Sequence, residues 1–271
     1  MVKITRLYHK LFNKMVYHIS DEAKEIRRIT KIPRYQAGIT KIFGFDFIFV
    51  DSASFVGQYE EIYWKQIYNF KSENIRPYIL DCGANVGVSI MYFKKIYPDA
   101  EITAFEPDKT IFNILKKNVD NFQINNVQLI NKGLSNKEGI ATFYDDGADF
   151  GHILDNDEID LLRTIEIDTI SLRPYLNRKV DFLKIDIEGK EGDLIKDCGD
   201  LLGKVDRIFI EYHSFKNREQ TLHEILKTLN YNKFKYFIQQ AGINSLTPFL
   251  KINSTQGLEN LLNIFAFKSN T

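Results

Sequence analysis

The sequence predicts a Rossmann-like α/β fold: an open, mostly parallel seven-stranded sheet with helices on both faces, preceded by an N-terminal cap of helices and a β-hairpin. Three observations carry this. From Pro77 onward, short apolar runs rich in β-branched residues alternate with amphipathic helical stretches. The first of these runs opens into a glycine-rich turn, I-L-D-C-G-A-N-V-G (Ile79 to Gly87), which leads into a helix. The second run ends on an acid, Glu106, about 20 residues after the turn begins.

The elements follow in order. Ser20 with Asp21 and Glu22 behind it is a helix start, and Pro33 closes that helical region. Ile39 to Val50 alternates apolar and polar residues around Gly44 and predicts a hairpin or bent strand pair. Residues 58–70 carry apolar side chains at three- and four-residue intervals and predict a helix. Strands are expected at Tyr78–Cys82, Ile102–Phe105, Val127–Asn131, Val180–Ile187 and Val205–Tyr212, with helices at Val88–Tyr97, Lys109–Phe122, Lys190–Cys198 and Glu219–Leu229. Ile140–Tyr144 and Thr164–Ile167 read as short added strands, and Phe234–Gln239 with Leu262–Phe267 as a closing antiparallel pair. The change of texture divides the chain into a cap, 1–74, and an α/β domain, 75–271.

Composition narrows the function classes. The 271 residues are 44% hydrophobic, enough for a sizeable core. Lys+Arg and Asp+Glu both number 36, so the global basic field of a nucleic-acid binder is absent and no nucleic-acid partner is expected. Cys82 and Cys198 fit no metal-ligand or disulfide spacing and read as buried free thiols in a reducing compartment. No run reaches the ~18–20 apolar residues of a membrane span, and the start of the chain has no leader-like apolar core, so a cytoplasmic location is expected. Leu7, Leu11 and Met15 recur at helical spacing among basic residues; such a stripe packs on its own domain or on a second subunit, which makes a homodimer an expectation.

The glycine turn carries the sharpest chemistry. Gly83 allows a tight turn and close approach of a ligand, Gly87 allows close packing of the helix start, and the helix N-terminus offers unpaired N–H groups. Nicotinamide-type fingerprints read G-x-G-x-x-G, whereas here Asp81 stands at the first position and the glycines are more widely spaced. An anionic Asp81 repels a pyrophosphate and favours the ammonium of an amino-acid moiety. S-adenosylmethionine has that ammonium and no phosphate. Glu106, at the next strand tip, suits the two hydroxyls of a ribose; the alternative is that Glu106 and Asp108 serve only as helix-start acids.

A second cluster follows the fourth and fifth strands. V-D-F-L-K-I-D-I-E-G-K-E-G places Asp186, Glu188 and Glu191 at a strand exit, with Lys184 on the face of Asp186. In I-F-I-E-Y-H, Glu211 and His213 share one face. Methyl transfer to an alcohol needs a base; His213 is the first candidate, Asp186 the second, with Glu211 beside them. Asp186, Glu188 and Glu211 form a hard-cation site only if their oxygens converge, and no metal is assigned.

Together I-L-D-C-G-A-N-V-G, A-F-E-P-D, G-L-S-N-K-E-G, F-L-K-I-D-I-E-G-K-E and I-F-I-E-Y-H resemble the FkbM family of S-adenosylmethionine-dependent methyltransferases over roughly residues 78–215. The resemblance implies a class I methyltransferase fold and O-methylation of a saccharide or related natural product. It implies that Asp81, Gly83, Ala84, Asn85 and Gly87 hold the methionine end and that Glu106 and Pro107 lie at the ribose. Leu134 and Ser135 would lie near the adenine, with Asp186 on the cofactor as well. Gly133 departs mildly from the family's usual alanine, and the loop Asp146–Leu154, with Gly151 and His152, departs from its pattern on the acceptor side. The aromatic-rich Tyr59–Phe70 suits a wall for a saccharide acceptor, with core packing as the alternative. Two other readings compete: a nicotinamide-dependent oxidoreductase on the same architecture, and a binding module without turnover.

Overall fold

The computed structural model describes residues 20–144, 152–153, 164–242, 245–255 and 257–268, with backbone alone at 144 and 152–153. The stripe at Leu7, Leu11 and Met15 and most of the loop Asp146–Leu154 lie outside the described residues.

Helix α1 (Asp21–Ile29) starts where its acids predict: Ser20 Oγ accepts from Ala23 N at 3.2 Å, and Ile26 and Ile29 face inward. Strands β1 (Gly38–Thr40) and β2 (Phe47–Phe49) form the expected hairpin, with Gly44 at φ +92° in the connection. The next helix departs from expectation. Asp51 caps its start by accepting from Ser54 N, so α2 spans Ser52–Tyr59 and runs into a π-helical turn, Glu60–Trp64. The chain leaves helix at Gln66 (φ +56°), and Tyr68 and Phe70 then drop into the core as anchors rather than as a helical stripe. The wide turn explains the misreading: one extra residue per turn breaks the 3.6-residue period on which the prediction rested.

The α/β region contains β3 (Tyr78–Cys82), α3 (Val88–Ile96), β4 (Glu101–Phe105), α4 (Lys109–Asn121) and β5 (Val127–Ile130). A small four-stranded sheet follows, from β6 (Gly133–Leu134), β7 (Gly139–Tyr144), β8 (His152–Ile153) and β9 (Thr164–Ile170), in the order β6-β9-β7-β8. Then come β10 (Phe182–Ile185), α5 (Glu191–Asp197), β11 (Arg207–Phe215), α6 (Leu222–Tyr231), β12 (Lys235–Gln240) and β13 (Leu258–Phe267). The main sheet has the order β12-β13-β11-β10-β3-β4-β5. Only β13 is antiparallel to its neighbours, so the sheet is the expected seven-stranded Rossmann-like array. Its strand order reverses between β3 and β10, the switch point where open α/β sheets place ligands.

The fifth parallel strand is longer than its sequence predicts. It continues through His213 to Phe215 because the ten-residue β13 supplies a ladder beyond the end of β10. His213 is therefore held inside a strand rather than at its exit.

Strand residues alternate between two cores. Ile79, Ile102, Ala104, Phe182 and Phe209 face one, and Leu80, Cys82, Leu183, Ile185, Ile210 and Tyr212 face the other. The first core is shared with the N-terminal segment: Phe47, Phe49, Phe55 and Tyr59 pack in the same cluster as Ile90, Phe93 and Leu115. Asn118 of α4, fully buried, ties the two together. Its Oδ1 accepts from Ile48 N at 2.8 Å, and its Nδ2 donates to Ile48 O and Val86 O at 2.9 and 2.8 Å. Asn118→Leu leaves these three backbone groups without their partner and is expected to cost about 3 kcal/mol. Urea denaturation at unchanged m-value measures it; a loss below about 0.5 kcal/mol would contradict this role.

Candidate active site

The glycine turn is shaped by its neighbours as much as by any ligand. Gly83 sits at φ +87°, and a Cβ there would lie 1.9 Å from the Asp186 carbonyl oxygen. Its absent side chain thus lets the exits of β3 and β10 touch. Gly87, at φ +98°, packs against Leu115 of α4. Gly83 N and Ala84 N both donate to Phe105 O, at 3.1 and 2.9 Å, which folds the turn over the end of β4.

Glu106 stands at that strand tip, 7% exposed. Its Oε2 accepts from Asn85 N and its Oε1 from Asp108 N, each at 3.0 Å. The helix-start role belongs to Asp108 alone, which accepts from Thr110 N and Ile111 N. Asn131 Nδ2 bonds the carbonyls of Glu106 and Pro107 at 2.9 Å and fixes the strand tip. Burial raises the Glu106 carboxyl to about 8, with the charge of Asp108 adding to the rise.

Beneath the turn lies Lys184. Its ammonium, buried with a side chain 3% exposed, is 3.3 Å from Asp81 Oδ1 and 3.3 Å from Asp186 Oδ2. It donates to Gly83 O at 2.6 Å. Burial alone would lower its affinity for the proton, but Asp186 and Asp81 hold it well above the ordinary lysine value. Asp81 is fully buried and also accepts from Ser89 Oγ at 2.5 Å. The charge of Asp81 is therefore partnered from inside the protein and is not bare toward the cleft.

The third group surrounds His213. Its Nδ1 is 3.1 Å from Glu191 Oε1, which itself accepts from Gly189 N at 2.9 Å and Ile187 N at 3.3 Å. Its Nε2 is 3.1 Å from Glu188 Oε2 and 3.7 Å from Glu211 Oε2. Burial works against the charged imidazole, yet Glu188 and Glu191 raise it well above the ordinary histidine value. Burial, with the charge of Asp186, lifts the Glu211 carboxyl to about 8. Burial likewise pushes the Glu188 carboxyl well above its ordinary value, so the close contact between His213 Nε2 and Glu188 holds a proton and the imidazole is not a bare base.

These groups open on a cleft of about 730 Å³ at the switch point, within the size range of ligand sites. Among the sequence-predicted residues, Gly83, Ala84, Asn85, Glu106, Pro107, Leu134, Asp186, Glu211 and His213 line it. Asp81 and Gly87 support it from behind, and Ser135, half-buried just after β6, lies outside the lining. The segment Tyr59–Phe70, read from the sequence either as an acceptor wall or as core, divides between the two: Glu61, Ile62, Lys65 and buried Tyr68 line the cleft, while Tyr59 and Phe70 pack in the core. Sequence reasoning missed Lys184 as the centre of a charge cluster, although the two-residue spacing to Asp186 held the signal.

The donor set fits a zwitterionic, cation-bearing cofactor. Five carboxyl groups, Asp81, Asp186, Glu188, Glu191 and Glu211, stand around Lys184 and His213, and burial holds Glu188 and Glu211 back from ionising, so the floor favours a ligand that brings positive charge over a pyrophosphate. Glu106 adds a carboxylate with acceptor capacity for hydroxyls.

Comparison with known proteins agrees with the class that this fold and site define. The family model described as "Methyltransferase FkbM domain" matches residues 81–236, more than half of the chain, and the chain belongs to that methyltransferase family. It is 23% identical over 197 residues to Methyltransferase 1 of Beauveria bassiana (strain ARSEF 2860), an alignment covering 62% of this chain and 79% of that protein. It is 35% identical over 82 residues to Methyltransferase sdnD of Sordaria araneosa, covering 30% of this chain and 32% of that protein, so it spans about a third of that relative. The crystal structure of Methyltransferase FkbM from Methylobacillus flagellatus KT shares 16% identity at TM-score 0.49, over 76% of this chain and 47% of that chain.

Glu106 generates a pH prediction. Its folded value, about 8, lies above its ordinary 4.5, so the folded state holds the extra proton in between. Its contribution to stability is complete below pH 4.5 and is lost as pH rises through about 8. Ligand-free wild type should lose stability relative to Glu106→Gln between pH 5 and about 8.5, read as the difference in Tm. Parallel Tm profiles would contradict it.

Proposed function

We propose that the chain transfers a methyl group from S-adenosylmethionine to a hydroxyl of a saccharide or related small-molecule acceptor. The observation that carries this reading is the Glu106 carboxyl, poised at the second strand tip against the glycine turn, on the rim of a cleft whose floor is carboxylate-rich.

When bound, S-adenosylmethionine supplies an electrophilic methyl group. Glu106 accepts hydrogen bonds from the ribose hydroxyls, and Ala84, Pro107 and Leu134 give the apolar flanks beside it. The backbone around Gly83 and the carboxylate of Asp186 receive the amino-acid end, with Lys184 holding both in place. Asp186, whose side chain is 23% exposed at the cleft floor, is the carboxylate best placed to take the acceptor's proton. His213, set among Glu188, Glu191 and Glu211, holds that part of the floor in place. Glu61, Ile62 and Tyr68 close the acceptor side, while Tyr59, Tyr63 and Phe70 stack within the core. Catalysis in this reading is chiefly positioning of the acceptor oxygen. Absence of a nucleic-acid partner, homodimerisation and a cytoplasmic location belong to the same reading; among the described residues no helix is long and apolar enough to cross a membrane.

Calorimetry with S-adenosylhomocysteine and NAD, followed by transfer of labelled methyl to a cell-envelope saccharide fraction, tests the proposal. S-adenosylhomocysteine should bind, NAD should not, and Glu106→Ala should weaken binding by about 30–100-fold through loss of two charge-assisted hydrogen bonds. Binding of NAD alone would sink the reading. Cofactor binding without transfer to any hydroxyl-bearing fraction would favour a module without turnover.

A further inference from the structure

We propose that the end of β11 and the turn after β10 form a binding site for one divalent transition-metal ion, with His213, Asp186 and Glu211 as ligands and Glu188 as a fourth donor. One ligand atom from each of Asp186, Glu211 and His213 lies within 4.8 Å of the other two. Neighbouring ligands on a tetrahedral zinc-class ion stand about 3.3 Å apart, so the widest pair closes by at most about 1.5 Å, while His213 Nε2 and Glu211 Oε2 already stand at 3.7 Å. Such a shift is within reach of side chains that are 23% and 17% exposed, as those of Asp186 and Glu211 are.

Two further features make this more than a gathering of acids. The first is the orientation of His213, whose side chain is 2% exposed. Glu191 takes the Nδ1 side at 3.1 Å, and Glu191 Oε1 is itself fixed by the amides of Ile187 and Gly189. A carboxylate on one ring nitrogen is the arrangement that orients metal-ligating histidines and sets their tautomer. It turns Nε2 toward Glu188 and Glu211. The second is Glu188. Its Oε2 is enclosed and accepts no hydrogen bond, although it lies 3.1 Å from Nε2. Glu188 also occupies φ +56°, a conformation that costs energy outside glycine. On binding, the ion takes the place of the proton between His213 Nε2 and Glu188 Oε2, which leaves to solvent, and offsets the mutual repulsion of three carboxylates.

The donor chemistry selects the ion. One imidazole nitrogen with carboxylate oxygens suits ions of the manganese-to-zinc series better than calcium, which takes oxygen alone. The site borders the cleft at Asp186, Glu211 and His213. Its existence does not depend on methyl transfer, and binding of S-adenosylhomocysteine is read separately below.

The test uses the full chain freed of metal with EDTA and titrated with Mn2+, free ion being read by electron paramagnetic resonance. One ion per chain is expected, with nitrogen modulation from a coordinated imidazole in the pulsed spectrum of wild type. Glu211→Gln and His213→Gln should each weaken binding about 10- to 100-fold, whereas Glu106→Gln, outside the cluster, should leave it unchanged. Thermal melting of each variant confirms folding, and the wild-type nitrogen signal decides the question if a variant fails to fold. No stoichiometric binding, binding without nitrogen modulation, or equal binding by folded Glu211→Gln would each overturn the proposal. S-adenosylhomocysteine titrated with and without Mn2+ separates the two readings: cofactor binding with no metal binding ends only the metal site, and the reverse ends only the methyl-transfer reading.

Discussion

The buried ammonium of Lys184 is the interaction on which the site depends. It joins the ends of two strands that are adjacent in the sheet and over 100 residues apart in sequence, through Asp81 on β3, Asp186 after β10 and the carbonyl of Gly83 between them. Two carboxylates brought this close without a cation would repel one another in a medium of low dielectric. With the ammonium present, the chain can place a glycine turn directly against the Asp186 backbone, where even a methyl group would collide. The switch-point cleft opens above this junction.

Around that junction the charge is deliberately uneven. The floor carries more carboxylates than cations, and burial withholds ionisation from Glu106 and Glu211, both lifted to about 8. A ligand that brings positive charge or hydroxyl donors lets these groups ionise at lower cost. The same unevenness argues against a pyrophosphate more firmly than Asp81 alone, since Asp81 is neutralised by Lys184 and does not face the cleft.

Much of the sheet was legible because buried parallel strands write short apolar runs. Tyr78–Cys82 and Lys109 at the start of α4 fall where the pattern places them. The position of Glu106 and the cap at Asp108 were legible in outline, since strand tip and cap follow from local chemistry. The cap wall was legible only as a pair of alternatives for Tyr59–Phe70. Tyr59 and Phe70 pack in the core, while Tyr68, held by Phe93 and Phe209 far along the chain, reaches the cleft beyond a π-helical turn that has no period to detect. The carboxylate surroundings of His213 were hidden, because they arise from Glu188 and Glu191 across a turn and from a strand lengthened by β13. Local residues reveal where a site lies; long-range packing sets its walls and its charges.

A crystal structure of the chain with S-adenosylhomocysteine tests the central claim most directly. The account predicts ribose hydroxyls within hydrogen-bonding distance of the Glu106 carboxylate and the amino-acid end at the junction of Gly83, Lys184 and Asp186. A cofactor seated away from Glu106, or a cleft that takes NAD and refuses S-adenosylhomocysteine, would contradict it.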